Sequence, residues 1–283
     1  MILSIASGKG GTGKTTVSVN LALSLDRVQL IDCDVEEPND NIFIKARIEN
    51  TQDVNVEIPE IDYEKCLNCG KCADFCNFNA IIDLPSGIKV FSGLCHSCGG
   101  CALVCPNEAI SWKDKKIGII RSGTSGGISF FEGILDIGEV RPTPIIKALK
   151  YQIRSDIDTI LDCPPGTSCS FLETVNGSDF CILVTEPTPF GFNDLKIAVE
   201  ALKEMRIPFG VIINRDGIGD DEIELFCKHE MIPILLKIPY NEDIAKLYSK
   251  GEVFIDYFPE IRGQIVSMLN NIRGRKNEAD CSS

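Results

Sequence analysis

Apolar residues fall along this chain in short blocks separated by polar and glycine-bearing stretches. Residues 2–6 (ILSIA) form a continuous apolar block that reads as a buried strand, 17–25 as a helix, and 28–32 as a second strand. After a long polar middle, apolar blocks at 117–120, 158–162, 179–184, 209–214 and 231–238 read as further strands, with helices at 144–151 and 193–205. Continuous apolar strands alternating with helices predict an α/β fold with a doubly wound, mostly parallel sheet. Near the C-terminus Ile261, Ile265, Met268, Leu269 and Ile272 recur at helical spacing, which predicts a helix packed on that sheet. The basic residues Arg273, Arg275 and Lys276 lie past the stripe rather than along it, which argues against a membrane-surface helix.

The turns carry the chemistry. Between the first strand and the first helix lies Gly8-Lys9-Gly10-Gly11-Thr12-Gly13-Lys14-Thr15-Thr16. Strand, glycine loop and helix are the context of a phosphate loop, and Gly8-x₄-Gly13-Lys14-Thr15 has its spacing. Glycines let backbone N–H groups converge on an anion, the helix N-terminus adds its dipole, and Lys14 adds a full charge. Thr15 supplies the hydroxyl expected on Mg²⁺. The strand at 28–32 ends in the acidic run Asp32-Cys33-Asp34-Val35-Glu36-Glu37-Pro38-Asn39-Asp40. Acidic groups at the C-terminal end of a parallel strand sit at the ligand edge of an open sheet, so Asp32 and Asp34 are candidates to hold Mg²⁺ through water or to orient the attacking water. The Gly/Ser-rich stretch 122–127 lacks the Gly-Lys-Ser/Thr of a phosphate loop and is expected to be a flexible connection facing the site.

The polar middle contains two cysteine runs, Cys66-x₂-Cys69-x₂-Cys72-x₃-Cys76 and Cys95-x₂-Cys98-x₂-Cys101-x₃-Cys105-Pro106, repeated at an interval of 29 residues. The same offset relates Gly70 to Gly99 and Ala80-Ile81 to Ala109-Ile110. This is the two-cluster bacterial ferredoxin pattern, in which each run's fourth cysteine serves the other cluster. Cys66, Cys69, Cys72 and Cys105 are therefore expected on one [4Fe–4S] cluster, and Cys95, Cys98, Cys101 and Cys76 on the other. Asn77 stands where the pattern has proline, which loosens a turn and removes no ligand. A pair of zinc sites is the competing reading, since C-x₂-C is also a zinc spacing. His96 reads as a surface histidine beside the second run. The insert is placed at 57–113, splitting a nucleotide domain into 1–56 and 114–283. Residues 113–116 (KDKK) are expected to be a solvated turn at its exit, and 80–82 and 88–91 are expected to be small strands.

Composition narrows the class. With 283 residues and a formal net charge of −13, nucleic acid and anionic membranes are disfavoured as main partners. No basic leader or bilayer-length apolar run is seen, so a cytoplasmic location is expected. There, 14 cysteines argue for metal centres rather than disulfides.

Lys9, which the ordinary loop does not need, gives the loop its resemblance to the deviant Walker A of the MinD/ParA/nitrogenase-iron-protein ATPases. The acidic run at 34–39 and the cysteine insert resemble the branch of that superfamily carrying a ferredoxin domain. The resemblance implies that Lys9 reaches the partner's nucleotide in an ATP-dependent homodimer. It also implies that Asp162-Cys163-Pro164-Pro165-Gly166 is a Walker B and second switch, with Asp162 on the Mg²⁺ water shell and the Gly166 N–H on the γ-phosphate. Asn214 would read the adenine, and the loop at Pro239 would close over it. Cys163 and Cys169 lack cluster spacing and are expected to be small buried hydrophobes. The expected activity is ATP hydrolysis coupled to electron transfer through the clusters or to maturation of a redox-protein client. A nucleotide-controlled carrier of clusters or metal and a positioning ATPase with structural clusters are the alternatives.

Overall fold

The computed structural model describes the backbone of residues 1–280 and the side chains of residues 1–274. Strand β1 (Ile2–Ala6) leads to α1 (Lys14–Leu23), β2 (Val28–Asp32) and the short α2 (Asp40–Ile44). The long β3 (Arg47–Ile61) then runs out to a small lobe of α3 (Lys71–Phe75), β4 (Ile81–Leu84), β5 (Gly87–Val90) and α4 (Gly100–Leu103). The chain returns on β6 (Ile110–Ser125) and β7 (Ile128–Leu135). It then alternates through α5 (Thr143–Lys150), β8 (Thr159–Asp162), α6 (Cys169–Val175), β9 (Phe180–Thr185), α7 (Pro189–Met205) and β10 (Phe209–Asp216). The last elements are α8 (Glu222–His229), β11 (Ile234–Pro239), α9 (Glu242–Ser249) and α10 (Pro259–Asp280).

Nine strands form one sheet in the order β11-β10-β9-β1-β8-β2-β7-β6-β3. From β11 to β7 the neighbours are parallel, and β6 and β3 are antiparallel additions at one edge. The expected doubly wound sheet is therefore the body of the molecule. Because β1 lies between β8 and β9, the loops after β1, β2 and β8 open on the same edge, where ligands bind in such sheets. The inner strands are buried along their whole length, as continuous apolar runs require. One face is covered by α1 and by α10, whose Ile261, Ile265, Met268, Leu269 and Ile272 are all buried in the core. At about 1.5–3 kcal/mol per fully buried side chain, that stripe holds the helix on the sheet. The expected positions of Arg275 and Lys276 lie outside the described side chains.

Three expectations are corrected. Residues 113–116 are not a turn. They continue β6, paired with β3 from Arg47↔Thr124 to Ile61↔Ile110. Charge there marks the solvated faces of a two-stranded ribbon, with Lys113 on Glu60 and Lys116 on Asp53. The stretch 122–127 does not face the site. Ser122–Ser125 belong to β6, and the tight turn that follows lies against Asp26 at the start of β2, opposite the ligand edge. A Cβ on Gly127 would sit 1.9 Å from the Asp26 carbonyl oxygen, so the turn demands glycine. The strand β7 went unread because Glu132 and Gly133 interrupt its apolar run. In the sheet Arg121 on β6 neutralises Glu132 at 2.7 Å. Helix α1 also begins three residues earlier than expected, at Lys14, directly on the loop.

The β3–β6 ribbon is continuous through positions 57 and 113. Beyond Gly118, where β6 leaves β7, it stands as a two-stranded arm carrying the lobe. The interval of 29 residues is visible in the backbone. Asn68 and Ser97, Gly70 and Gly99, and Asn79 and Glu108 all take left-handed conformations, and α3 and α4 occupy equivalent places.

Candidate nucleotide site and cysteine centres

The phosphate loop wraps over the C-terminal end of β1 and bounds a cavity of about 380 Å³. Of the expected residues, Lys9, Gly10, Gly11, Gly13, Lys14, Thr15, Thr16, Asp34, Asn214 and Pro239 line it. Gly8 and Thr12 shape the loop from outside. A Cβ on Gly8 would lie 2.3 Å from the Asp194 carbonyl oxygen, so only glycine lets the loop pass α7. The Asn214 amide donates to the Thr12 carbonyl at 2.8 Å and lies where a Cβ on left-handed Gly13 would be. The loop at Pro239, Tyr240 and Asn241 lines the cavity as one wall, and sequence reasoning missed the α9 residues that extend this wall, Ile244, Ala245 and Tyr248. It is an apolar and aromatic surface of the kind on which a base stacks.

Below the loop lies a dry, charged floor. Asp162 ends β8 with its carboxylate fully engaged. Lys14 Nζ and Ser18 Oγ donate to Oδ1, both at 2.8 Å, and Thr15 Oγ1 donates to Oδ2 at 2.9 Å. Ser18, one helical turn beyond Lys14, was not foreseen, and its spacing on α1 was the available signal. Asp32 at the end of β2 accepts from the backbone N–H groups of Asp34, Asn39 and Asp40. Asp34 leans over Lys14 at 4.0 Å and faces the cavity. Burial works against the charge of Lys14, but Asp162 holds its pKa above the ordinary value. Burial raises Asp32, and the nearby Asp162 adds to it. Asp34 is pushed up to about 6, by burial first, with Lys14 opposing. Asp32, Asp40 and Asp162 bring carboxylate oxygens within 4.8 Å of one another, and hard oxygen donors of this kind suit Mg²⁺. Strand, loop, helix, lysine, threonine and the carboxylate ending β8 are the parts of a P-loop ATPase.

Two expected contacts point elsewhere within the single chain. Lys9 folds back on Glu186 at 2.7 Å, and Glu186 also receives Arg215. Burial opposes the charge of Glu186, but Lys9 and Arg215 hold its pKa below the ordinary value. The Gly166 N–H donates to the Ser7 carbonyl at 3.1 Å. Cys163 is buried as expected, whereas Cys169 is exposed at the start of α6, which corrects its reading as a core residue.

In the lobe, the eight cysteines converge in two groups. One cavity is lined by Cys66, Cys69, Cys72 and Cys105 with Ile61, Ile88 and Ile110. The other is lined by Cys76, Cys95, Cys98 and Cys101 with Phe75, Phe78 and Trp112. The fourth cysteine of each run thus crosses to the other group. Backbone N–H groups point at the sulfurs, from Ser97 to Cys95 Sγ and from Ala109 to Cys105 Sγ. The donor set, four thiols around each of two apolar cavities, fits a [4Fe–4S] cluster in each. His96 lies exposed beside the second group, stacked on Phe78 with ring centroids 3.8 Å apart. The lobe is tied to the body by Arg141, ahead of α5. Its guanidinium grips Glu139 with two bonds of 2.6 Å and donates a third, at 2.7 Å, to the Cys95 carbonyl.

The model of the CobQ/CobB/MinD/ParA nucleotide binding domain matches residues 3–254. An uncharacterized protein of Methanocaldococcus jannaschii is 30% identical over 95% of this chain and 97% of its own length. An iron-sulfur cluster carrier protein of Pyrococcus abyssi is 24% identical over 96% of this chain and 88% of its own. Among solved structures, the septum site-determining protein MinD of Pyrococcus horikoshii, complexed with Mg-ADP, superposes with a TM-score of 0.58. That match covers 97% of this chain and 98% of MinD at 22% identity, a likeness of fold. Among the described residues, no helix is long and apolar enough to cross a membrane.

Proposed function

The chain belongs to the CobQ/CobB/MinD/ParA nucleotide-binding family, and from that premise we propose that it carries iron–sulfur clusters under the control of ATP. The crossed four-cysteine cavities carry this reading. The relative of Pyrococcus abyssi named as a cluster carrier supports it over a purely electron-transferring role. In this reading the loop N–H groups and Lys14 bind the phosphates, while Thr15, Asp32 and Asp162 hold Mg²⁺. That ion, when bound, neutralises phosphate charge. Asp34 orients the attacking water, standing at the cavity wall within reach of Lys14. Asn214 and the Pro239 loop hold the base. The Gly166 N–H exchanges the Ser7 carbonyl for the γ-phosphate, and Lys9 exchanges Glu186 for the nucleotide of a second copy. Both exchanges keep each donor paired in both states, and Glu186 keeps Arg215 when Lys9 leaves.

A second reading, nucleotide-gated electron transfer, is favoured by one observation. The Arg141 tie joins the Cys95 loop to α5, which packs on α6 directly after the Asp162 turn. One experiment separates the two. Protein reconstituted without oxygen should hold about eight iron atoms per chain. A carrier passes iron to an apo-ferredoxin acceptor faster with ATP, and Lys14→Ala loses the ATP effect. Reversible reduction with no iron release favours the gate. Stoichiometric zinc and no iron overturns both.

A further inference from the structure

Asp40 has no place in that account. It opens α2 at the end of the acidic run, it is fully buried, and no N–H or O–H donor of the chain reaches either carboxylate oxygen, whose side-chain neighbour is the Asp162 carboxylate. Its fellow carboxylates are satisfied. Asp162 receives Lys14, Thr15 and Ser18, and Asp32 receives three backbone N–H groups. A fully buried carboxylate left without donors is a costly arrangement that persists only where something else compensates it. Its oxygens are aimed at those of Asp32 and Asp162, all within 4.8 Å. In that pocket three carboxyl groups face one ammonium, Lys14, and burial with mutual repulsion disfavours their charged forms, so only added positive charge, a proton or a cation, lets all three sit together. A divalent cation supplies that charge and the missing contacts in one step.

We propose that Asp32, Asp40 and Asp162 form a divalent-cation site that fills before nucleotide arrives, with Asp40 as its dedicated ligand. The oxygen-only donor set selects a hard ion, Mg²⁺ or Mn²⁺, over thiophilic metals. In the usual order the cation enters with the nucleotide, because one or two carboxylates hold it too weakly alone. Three buried carboxylates remove that dependence. Asp40 is also the first residue of α2, and its backbone N–H is already on Asp32. A cation bound there pins the acidic run that carries Asp34 before ATP is present. The proposal takes only its location from the nucleotide-site reading.

The test uses the full chain with its iron, washed free of nucleotide and divalent ions, and Mn²⁺ as probe. Loss of the free-Mn²⁺ EPR signal is expected to show one ion bound per chain without nucleotide. Asp40→Asn, nearly isosteric, should weaken that binding about 10–100-fold, the usual cost of losing one supporting group. The same substitution should raise the melting temperature of the metal-free protein, since an amide is cheaper to bury beside Asp32 and Asp162 than a third carboxyl, and shrink the further rise on adding Mn²⁺. Wild-type protein that binds Mn²⁺ only together with ADP overturns the proposal while leaving the nucleotide reading intact. Unchanged Mn²⁺ affinity in Asp40→Asn overturns it as well. Failure to bind ADP at all would instead strike the nucleotide reading.

Discussion

The nucleotide edge and the cysteine lobe solve opposite problems. At the edge, the body is already folded. Buried parallel strands end in carboxylates, and Lys14, Thr15 and Ser18 satisfy Asp162 from within the chain. The lobe has little to fold around. Its buried apolar residues are few, Ile61, Ile81 and Ile88 on one side and Ile58 and Ala80 on the other, and cysteines complete both groups. So small a core cannot offset the chain entropy of two short helices and a two-stranded hairpin, which leaves the rest to the clusters proposed for the cysteines. The edge binds its ligand as a finished surface, whereas the lobe is finished by its ligand.

The largest effect should follow from taking that ligand away. Anaerobic chelation of iron is expected to remove hydrogen-exchange protection from β4, β5, α3 and α4 while leaving β1, β8 and β9 protected. Equal loss in both regions would erase the distinction. Double substitutions sharpen it further. Cys66→Ser with Cys105→Ser strikes one cluster and should leave about four irons per chain, whereas Cys66→Ser with Cys76→Ser strikes both and should leave almost none. If the run rather than the cavity defined each cluster, these outcomes would be exchanged. At the edge, Lys14→Ala should weaken ATP about 100-fold or more, because it removes the ammonium proposed to meet the phosphates and leaves the repulsive Asp162 charge unopposed beside them. The fold should survive, as measured by an unchanged circular dichroism spectrum.

The two regions were also legible in different ways. The loop and all eight cysteines could be read because spacing constrains them, whereas Asp32 was read from its place at a strand end and Asp162 from the family resemblance. The glycines make N–H groups converge, and x₂-x₂-x₃ places sulfurs around a cube. The α9 part of the wall, Ile244, Ala245 and Tyr248, and the tie from Arg141 to Cys95 could not be read, because they join residues that only the tertiary fold brings together. The charged ribbon at 113–116 misled because this part of β6 carries charges, paired with Glu60, Glu139 and Asp53, where a half-buried strand would alternate apolar residues. Glu132 hid β7 in the same way: its partner, Arg121, lies on the neighbouring strand.

A link between the regions is testable at Arg141. The paired guanidinium of Arg141 draws the Glu139 carboxyl down to about 2, against the opposing effect of burial. This ion pair is well formed, and Lys115 adds a second cation at 3.0 Å. Arg141→Gln should therefore alter the reduction potential of the cluster that includes Cys95 and leave that of Cys66 unchanged, read by EPR-monitored titration. If a non-hydrolysable ATP analogue shifts the first potential in wild type, reduction must change ATP affinity by the same factor. The substitution should reduce both shifts together. Equal changes at both clusters would mean that the tie is not selective.

The smallest effect concerns Lys9. Its pair with Glu186 is partly open to water, with Lys9 27% exposed, so Lys9→Ala should cost the monomer no more than about 1 kcal/mol. The same substitution should abolish ATP-dependent dimerisation, if Lys9 leaves Glu186 for the nucleotide of a second copy. Light scattering with and without ATP reads the second effect, and urea unfolding the first. The acid side gives an internal check on the monomer pair. The folded pKa of Glu186 is depressed, so the pair's contribution is present above the ordinary carboxylate value of 4.5 and fades as pH falls through the lower folded value. The stability difference between wild type and Glu186→Gln should therefore shrink on acidification below that point. A constant difference across that range would show that Glu186 acts through packing rather than charge. A Lys9→Ala protein that still dimerises with ATP would leave Lys9 as no more than the partner of Glu186.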